Sequence, residues 1–412
     1  MQKLLKRAKD KELIITILGM GYIGLPTAIA FAKAGFSVKG FDVNKKVIET
    51  LKNGKIHIVE PSLQEAFEEA LKSKKLIPVD KLEKSDVFII AVPTPFKKDH
   101  DDKIADLSYV ESASKIVATV LEENNLVILE STVPPMTTKL MTDILEKESG
   151  ISRDKFMSVH CPERVLPGRI LYELEHNDRV IGAERREAGE YTKIIYDAMV
   201  KEGTCYVTDD ITAEMCKLVE NTFRDVNIAF ANELSVICDK LGIDVFELIK
   251  LANKHPRVNI LTPGAGVGGH CLAVDPWFIV EKFPKEANVI REARLINDYK
   301  PRFIANKVDE ILKRNKELTI GVLGLAYKPD IDDLRESPAM EIAEILRDKG
   351  YKVIACEPNV DRKEVARFEL YTLGEIVEKS DYLVLAQGHK EFKEKIEILK
   401  NEKIYDCLGL LK

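Results

Sequence analysis

LIITILGMGYIGLPTAIAFAKAGFSVKGFD, residues 13–42, decides the fold. An apolar, β-rich run from Leu13 to Leu18 breaks on Gly19, Gly21 and Gly24, and an apolar helical stretch follows at once. A second β-rich run, Ser37 to Phe41, ends on Asp42, 23 residues past Gly19. Strand, glycine turn, helix, strand and acid in this order open a doubly wound α/β sheet. The first two glycines permit a tight turn and close backbone approach to a pyrophosphate. The third lets helix and strand pack, and the helix N-terminus favours negative charge. Asp42 is placed to accept the adenosine ribose hydroxyls and to repel a 2′-phosphate, so the cofactor expected is NAD. Three glycines alone would be a weak signal; their surroundings make it a strong one.

Working outward, further strands are expected at Val87–Val92, Leu126–Glu130 and Phe156–His160. At their carboxyl ends, where such sheets bind ligands, lie VPTP (92–95) and ESTVPP (130–135), which offer the hydroxyls of Thr94 and Thr132. Ordinary Pro-Thr turns would look the same. The pattern then changes. Residues 211–241 contain no Pro or Gly, and Met215, Leu218, Val219, Phe223, Val226, Phe230, Leu234 and Ile237 recur at helical spacing. They predict one long, mostly buried helix, with a shorter one near Asp244–Asn253. A second βα series begins near Leu318 and runs to the end. The expected architecture is two Rossmann-like, doubly wound parallel-sheet domains, residues 1–208 and 306–412, joined by a central helical domain, residues 209–305. The similar patterns of the two ends hint at two nucleotide-shaped sites.

At 412 residues the chain is too long for one ordinary core. Its net charge of −6, with both signs interspersed, argues against nucleic acid as a partner. No apolar run approaches the roughly 20 residues that cross a bilayer, and the basic N-terminus leads straight into the first strand, so no membrane partner and a cytoplasmic location are expected. Seven irregularly spaced cysteines suit neither a disulfide framework nor a zinc site, and no metal is expected.

The sharpest local feature is TPGAGVGGHCLAVDP, residues 262–276. Its glycines make a loop whose amides can approach a phosphate, and the loop delivers Cys271 and then Asp275. An accessible Cys near cations is a candidate thiolate nucleophile, whereas an isolated Cys is more often a small buried hydrophobe. The long helix tips the balance. Lys217, Asn221 and Arg224 fall at i, i+4 and i+7, one stripe flanked by apolar positions, and a polar row in a buried helix needs partners.

Together these segments resemble the UDP-glucose/GDP-mannose dehydrogenase family along essentially the whole chain. GMGYIGLP, VPTP, EST, CPER, KLVENTF, GVGGHC and YKPDIDDLRESP follow in the family's order. The resemblance implies a four-electron oxidation of a nucleotide-sugar alcohol by two NAD in succession, without release of the aldehyde. It makes Cys271 the nucleophile that holds a thiohemiacetal and then a thioester. Lys217 would stabilise oxyanions and shuttle protons, and Asn221 would donate to the same oxygen. Asp275 and Thr132 would organise the hydrolytic water, with Glu163 a further acid/base candidate. Cofactor contacts would fall on Gly19, Gly21, Tyr22, Ile23, Gly24, Asp42, Thr94, Thr132 and Arg335. Substrate contacts would come from Arg164, Val165, Lys217, Asn221, Arg224 and Gly268, with Tyr327 and Lys328 on the diphosphate side. His255 and Arg257 would reach in from a neighbouring subunit, making a homodimer through the central helix the smallest working unit. The UDP moiety would bind the last domain.

Two departures narrow the branch. Glucose-oxidising members resemble FLREG where this chain has RVLPG (164–168), and carry a Lys where Val274 precedes Asp275. With GHCLAVDPWF and HIVEP, these changes look like the branch acting on UDP-N-acetylmannosamine. With Pro167 and Val274 in place of polar groups, the group that activates water for thioester hydrolysis stays open. UDP-N-acetylglucosamine and UDP-glucose are the alternative substrates. A two-electron dehydrogenase related to the 6-phosphogluconate or 3-hydroxyacid enzymes would share the layout and the Lys/Asn pair but lack the Cys loop. A catalytically inactive nucleotide sensor is the alternative outside enzymes.

Overall fold

The computed structural model describes residues 2–97, 103–166, 168–361 and 364–411. The chain parts into two units, Met1–Val219 and Glu220–Lys412. The first unit is built on β1 (Ile14–Leu18), β2 (Ser37–Phe41), β3 (Leu76–Val79), β4 (Val87–Ile90), β5 (Leu126–Leu129), β6 (Met157–His160), β7 (Arg179–Gly182) and β8 (Cys205–Thr208). They form one sheet in the order β3-β2-β1-β4-β5-β6-β7-β8. The order reverses beside β1, and such a switch point opens a crevice at the carboxyl ends of the strands. Each face carries its own core. Met20, Ile29, Phe31, Phe36 and Tyr196 anchor one, and Phe88, Val110, Met141 and Phe156 the other.

All five strands read from the first half of the chain are present. Three others escaped the sequence reading. In β3, LIPV, the proline and the half-exposed Ile77 hide a strand, and both are tolerated because β3 is the sheet edge. The short β7 and β8 pair in parallel with each other, but β7 meets β6 antiparallel through His160 and Gly182. The sheet is therefore parallel only up to β6.

The central helix runs Asp210–Leu241, 32 residues, as the absence of Pro and Gly predicts. Its start is fastened to the first unit by Glu214. That carboxylate accepts the backbone N–H groups of Met136 at 2.6 Å and Thr138 at 2.7 Å, and the Thr138 hydroxyl at 2.6 Å, capping the helix Thr137–Ser149. One expectation fails here. The helix is not mostly buried: Phe223 is 68% exposed, Phe230 50% and Ile237 46%. Spaced by seven, they line one outward stripe, while Asn221, Asp225 and Asn232 face inward and are buried. Periodicity identifies a stripe, but not which stripe faces in.

In the second unit, β9 (Thr319–Leu323), β10 (Lys352–Cys356), β13 (Tyr382–Leu385) and β14 (Ile404–Asp406) form a four-stranded parallel sheet in the order β10-β9-β13-β14. β11 (Glu364–Val365) and β12 (Phe368–Glu369) make a small antiparallel ribbon. Cores lie on both faces of the sheet, around Ile304, Ile342 and Phe368 on one side and Leu323, Leu385 and Phe392 on the other. The shorter helix after the central one is Val245–Ala252, started by Asp244, whose side chain accepts the Phe246 N–H. No described helix is long and apolar enough to cross a membrane.

Candidate active site

In the first unit the glycine turn does three separate things. Gly19 sits at φ +94°, and a Cβ there would lie 2.5 Å from the Ala91 carbonyl oxygen. A Cβ at Gly24 would fall 1.8 Å from the Gly19 carbonyl oxygen, so helix and turn touch there only because residue 24 is glycine. Gly21 meets nothing within 4 Å. Its missing side chain keeps open a space that the protein itself does not use, as a backbone that must approach a pyrophosphate requires. Tyr22 is 45% exposed beside it, and Ile23 is the N-cap residue of the helix Gly24–Lys33.

Asp42 takes the Met20 N–H on Oδ2 at 2.9 Å and the Asn44 N–H on Oδ1 at 2.8 Å. Two backbone donors leave each oxygen a lone pair for a ribose hydroxyl, so the residues present fit NAD. The two threonine loops are brought together. The Thr94 hydroxyl donates to the Thr132 carbonyl at 2.7 Å, and Ser131 donates to the Val92 carbonyl at 2.7 Å.

Glu163 is buried and already engaged. Its Oε2 lies 2.8 Å from the buried Arg179 guanidinium, and its Oε1 accepts the Arg164 N–H at 2.7 Å. The Arg164 guanidinium donates to the Asp178 carbonyl at 3.1 Å. Val165 packs against the core beneath it. Pro167 lies outside the described residues. The sequence reading missed the acid beside this pair: burial, and next the charge of Glu163, push the Glu130 carboxyl up to about 8. Its only signal was a Glu closing an apolar strand. Lys217 is half-buried on the central helix.

In the second unit the inner face of that helix has the partners a buried polar row needs. The Asn221 amide donates to Asp275 Oδ2 at 2.6 Å, across 54 residues of sequence. Asp225 accepts from the fully buried Arg294 at 2.6 Å and from Asn297 at 2.9 Å. Asn232 accepts the Gly264 N–H at 2.9 Å and so holds the start of the glycine loop. Arg224 is exposed.

The loop itself is pressed against the turn after β9. A Cβ at Gly268 would stand 2.2 Å from the Glu336 carbonyl and 2.9 Å from Tyr327 Cβ, and one at Gly269 would stand 2.6 Å from the Tyr327 ring. The loop ends at Cys271, whose carbonyl accepts the Val274 and Asp275 N–H groups and starts the helix Asp275–Lys282. No cysteine forms a disulfide, and Cys271 alone of the seven is exposed. Asp275 is only 3% exposed. The contrast is chemical: burial pushes the thiols of Cys161, Cys205, Cys356 and Cys407 up to about 12, out of nucleophilic range.

Lys328 is exposed, as is Arg335, which makes a bidentate pair with Asp333 at 2.8 and 2.7 Å. The imidazole of His270, which lies immediately before the thiol and was not singled out from the sequence, has its pKa lowered first by burial and then by the charge of Arg335, with Asp333 and Glu336 opposing. His255 and Arg257 stand exposed on the segment after the helix Val245–Ala252. Among the described residues no group of three or more His, Cys, Asp or Glu is placed to hold a metal ion.

A glycine turn beside an acid with lone pairs to spare, a second parallel sheet and an exposed thiol on a glycine loop are the features of an NAD-dependent dehydrogenase. Comparison with known sequences gives the family. Profiles of the UDP-glucose/GDP-mannose dehydrogenase family match three parts: its NAD binding domain at residues 13–200, its central domain at 211–299 and its UDP binding domain at 321–412. The chain belongs to this family. It is 47% identical to UDP-N-acetyl-D-mannosamine dehydrogenase of Yersinia pestis, over 96% of this chain and 98% of that one. It is 44% identical to NDP-N-acetyl-D-galactosaminuronic acid dehydrogenase of Ralstonia nicotianae, over 96% of each. The solved structure of UDP-D-ManNAc dehydrogenase from Pyrococcus horikoshii superposes with a TM-score of 0.89 at 42% identity, covering 97% of this chain and 96% of that one.

Proposed function

We propose that this protein oxidises the C6 alcohol of UDP-N-acetylmannosamine to the carboxylate. The near-full-length likeness to the Yersinia and Pyrococcus enzymes supports the sugar. The observation that carries the chemistry is the single exposed thiol, Cys271, at the end of a loop whose neighbour Asp275 is tied to Asn221. NAD would supply the hydride acceptor: two molecules in succession would each take one hydride, the first released by the alcohol and the second by the thiol adduct.

The chain's own residues do the rest. The Cys271 thiolate adds to the aldehyde carbon, forming a C–S bond and an alkoxide that takes a proton to become a thiohemiacetal. Loss of hydride from that carbon and of the proton from its hydroxyl leaves a thioester, and water cleaves the C–S bond to release the acid and restore the thiol. Lys217 supplies the cation that each oxyanion needs, and Asn221 donates to the same oxygen. Asp275 and Thr132 orient water, and Glu163, paired with Arg179, organises the segment that carries Arg164 and Val165 toward the sugar. Gly268, Arg224, Tyr327 and Lys328 hold the nucleotide sugar, and Arg335 reaches the cofactor.

The outward stripe of Phe223, Phe230 and Ile237 supports a homodimer through the central helix, with His255 and Arg257 serving the partner's sugar. Seven cysteines without a disulfide suit the cytoplasm.

The likeness to the galactosaminuronate enzyme supports a second reading in which the N-acetyl group is kept and another epimer is oxidised. NADH formation with UDP-N-acetylmannosamine, UDP-N-acetylglucosamine, UDP-N-acetylgalactosamine and UDP-glucose decides between them. UDP-N-acetylmannosamine should give the highest kcat/KM and two NADH per sugar. A ratio of one NADH removes the thioester route, and UDP-glucose as best substrate removes the branch.

A further inference from the structure

The turn after β9 is tied down by a side chain that has no place in this scheme. His389 is fully buried. Its Nδ1 accepts the backbone N–H of Asp330 at 2.9 Å and lies 2.9 Å from the Asn359 amide, and its Nε2 lies 3.1 Å from Glu357 Oε2. A backbone N–H can only donate, so Nδ1 presents its lone pair and Nε2 carries the proton that Glu357 accepts. The same Glu357 oxygen takes the N–H groups of Leu325 at 2.7 Å and Ala326 at 2.9 Å. At the far end Asp330 holds φ +62°, a left-handed conformation that a non-glycine residue keeps only when its surroundings impose it. Its side chain is clamped as well, because Oδ1 accepts the N–H of Lys390 at 2.8 Å.

One imidazole thus closes both ends of the stretch 325–330. Glu357 carries its beginning, Asp330 its end, and Tyr327 and Lys328 lie between. The Tyr327 side chain in turn backs Gly268 with its Cβ and Gly269 of the Cys271 loop with its ring.

We infer that His389 is a positioning residue for the nucleotide-sugar site: by accepting the Asp330 N–H it sets the 325–330 turn, and through that turn the Tyr327 and Lys328 side chains. This rests on the reading of those two as diphosphate-side groups. A residue that merely filled the core through its bond to Glu357 would make a different prediction, and two substitutions separate the roles. In His389→Gln the longer amide reaches the Nε2 position and still donates to Glu357, but offers Asp330 no acceptor. In His389→Asn the amide oxygen falls near the Nδ1 position and still accepts from Asp330, but the bond to Glu357 is lost.

The test is calorimetric titration of the full-length protein with UDP-N-acetylmannosamine in the absence of NAD, and separately with UDP and with NAD. His389→Gln should raise Kd for both uridine ligands about tenfold or more, with NAD affinity within about twofold of the parent. His389→Asn should stay within about threefold for all three ligands. The reverse order, or equal losses in both variants, overturns the inference. Should either buried substitution fail to fold, Asp330→Gly decides. It keeps the left-handed backbone and the N–H at an exposed position and removes the carboxylate that accepts from Lys390 and lies 3.8 Å from His389 Nδ1. It should raise Kd for UDP about two- to fivefold and leave NAD unchanged; no change for UDP sinks the idea. A parent protein that binds UDP but not the N-acetylmannosamine nucleotide would fault the sugar assignment alone, since the UDP titrations still read out His389.

Discussion

Two turns in this chain share a plan and differ in what they leave open. After β1, Gly19 takes a left-handed φ of +94° and donates to the Phe41 carbonyl at 2.9 Å. After β9, Gly324 takes +83° and donates to the Cys356 carbonyl at 2.8 Å. Each turn is held by an acid at the end of the neighbouring strand, Asp42 and Glu357, and in each an asparagine two residues on donates its backbone N–H back to that acid. There the likeness ends. Asp42 is half-exposed and bonded only to backbone, and the open Gly21 leads directly into a helix. Glu357 is 5% exposed and bound to His389, the position corresponding to Gly21 is the buried Ala326, and a loop intervenes before the helix Pro338–Asp348. The first acid keeps capacity for a ribose; the second has spent its own on the protein. The same scaffold therefore offers one turn with room beside it for a dinucleotide and one turn remodelled and closed by the protein's own side chains.

The largest expected effect lies on the remodelled side. Cys271→Ala should lower net turnover by at least about a thousandfold while NAD and UDP binding persist, because the thiol contributes covalently to the chemistry and binding rests on other groups. Retention of acid production at an appreciable fraction of the parent rate, followed as NADH under steady state, would remove Cys271 from the chemistry.

On the dinucleotide side, Asp42→Ala should reduce the preference for NAD over NADP by about 10- to 100-fold in kcat/KM, since the repulsion of a 2′-phosphate goes with the carboxylate. The matching change, Glu357→Gln, should leave the cofactor ratio untouched and cost about 1–3 kcal/mol of stability, because it disturbs a buried acceptor of several bonds. A shifted cofactor ratio in Glu357→Gln would mean that the two turns are more alike than their bonding indicates.

Gly21→Ala sharpens the contrast further. With no protein atom within 4 Å and no positive φ, the new methyl should leave Tm within a degree or two and weaken NAD about tenfold, by standing where the pyrophosphate approaches. A fall in Tm with unchanged NAD affinity would show that the open space belongs to folding.

The smallest effect concerns the buried acids. Glu130, pushed up to about 8 by burial and then by Glu163, holds its proton in the folded chain between its ordinary value and about pH 8, while the unfolded chain has released it. The folded state then binds more protons, so stability falls as pH rises across that window and levels off above it. Glu130→Gln should flatten this slope in denaturant midpoints measured from pH 5 to 8. A slope equal to the parent's would place the titration elsewhere. Glu357 has the opposite sign. Burial pushes its carboxyl up, but the bond to His389 and the two amides prevail and hold it low, so its contribution is present above the ordinary carboxylate range and lost only on acidification.

Much of this was legible in the chain. The glycine turn, the five strands that flank or follow it, the long helix and the Cys271 loop are written in neighbours within a few residues of one another, where turn sterics, side-chain period and missing breakers act directly. What needed the tertiary structure is what depends on partners far along the chain. Nothing local says that the apolar stripe of Phe223, Phe230 and Ile237 faces outward while Asn221 and Asp225 face in, because a period marks a stripe without choosing its side. β3 was hidden by a proline that only an edge position excuses. The Asn221–Asp275 bond, the engagement of Glu163 by Arg179, and the use of Glu357 by His389 join residues 54, 16 and 32 positions apart. Each is decided by where burial makes an unpaired charge or amide too costly to leave alone, and that is a property of the packed interior rather than of any segment within it.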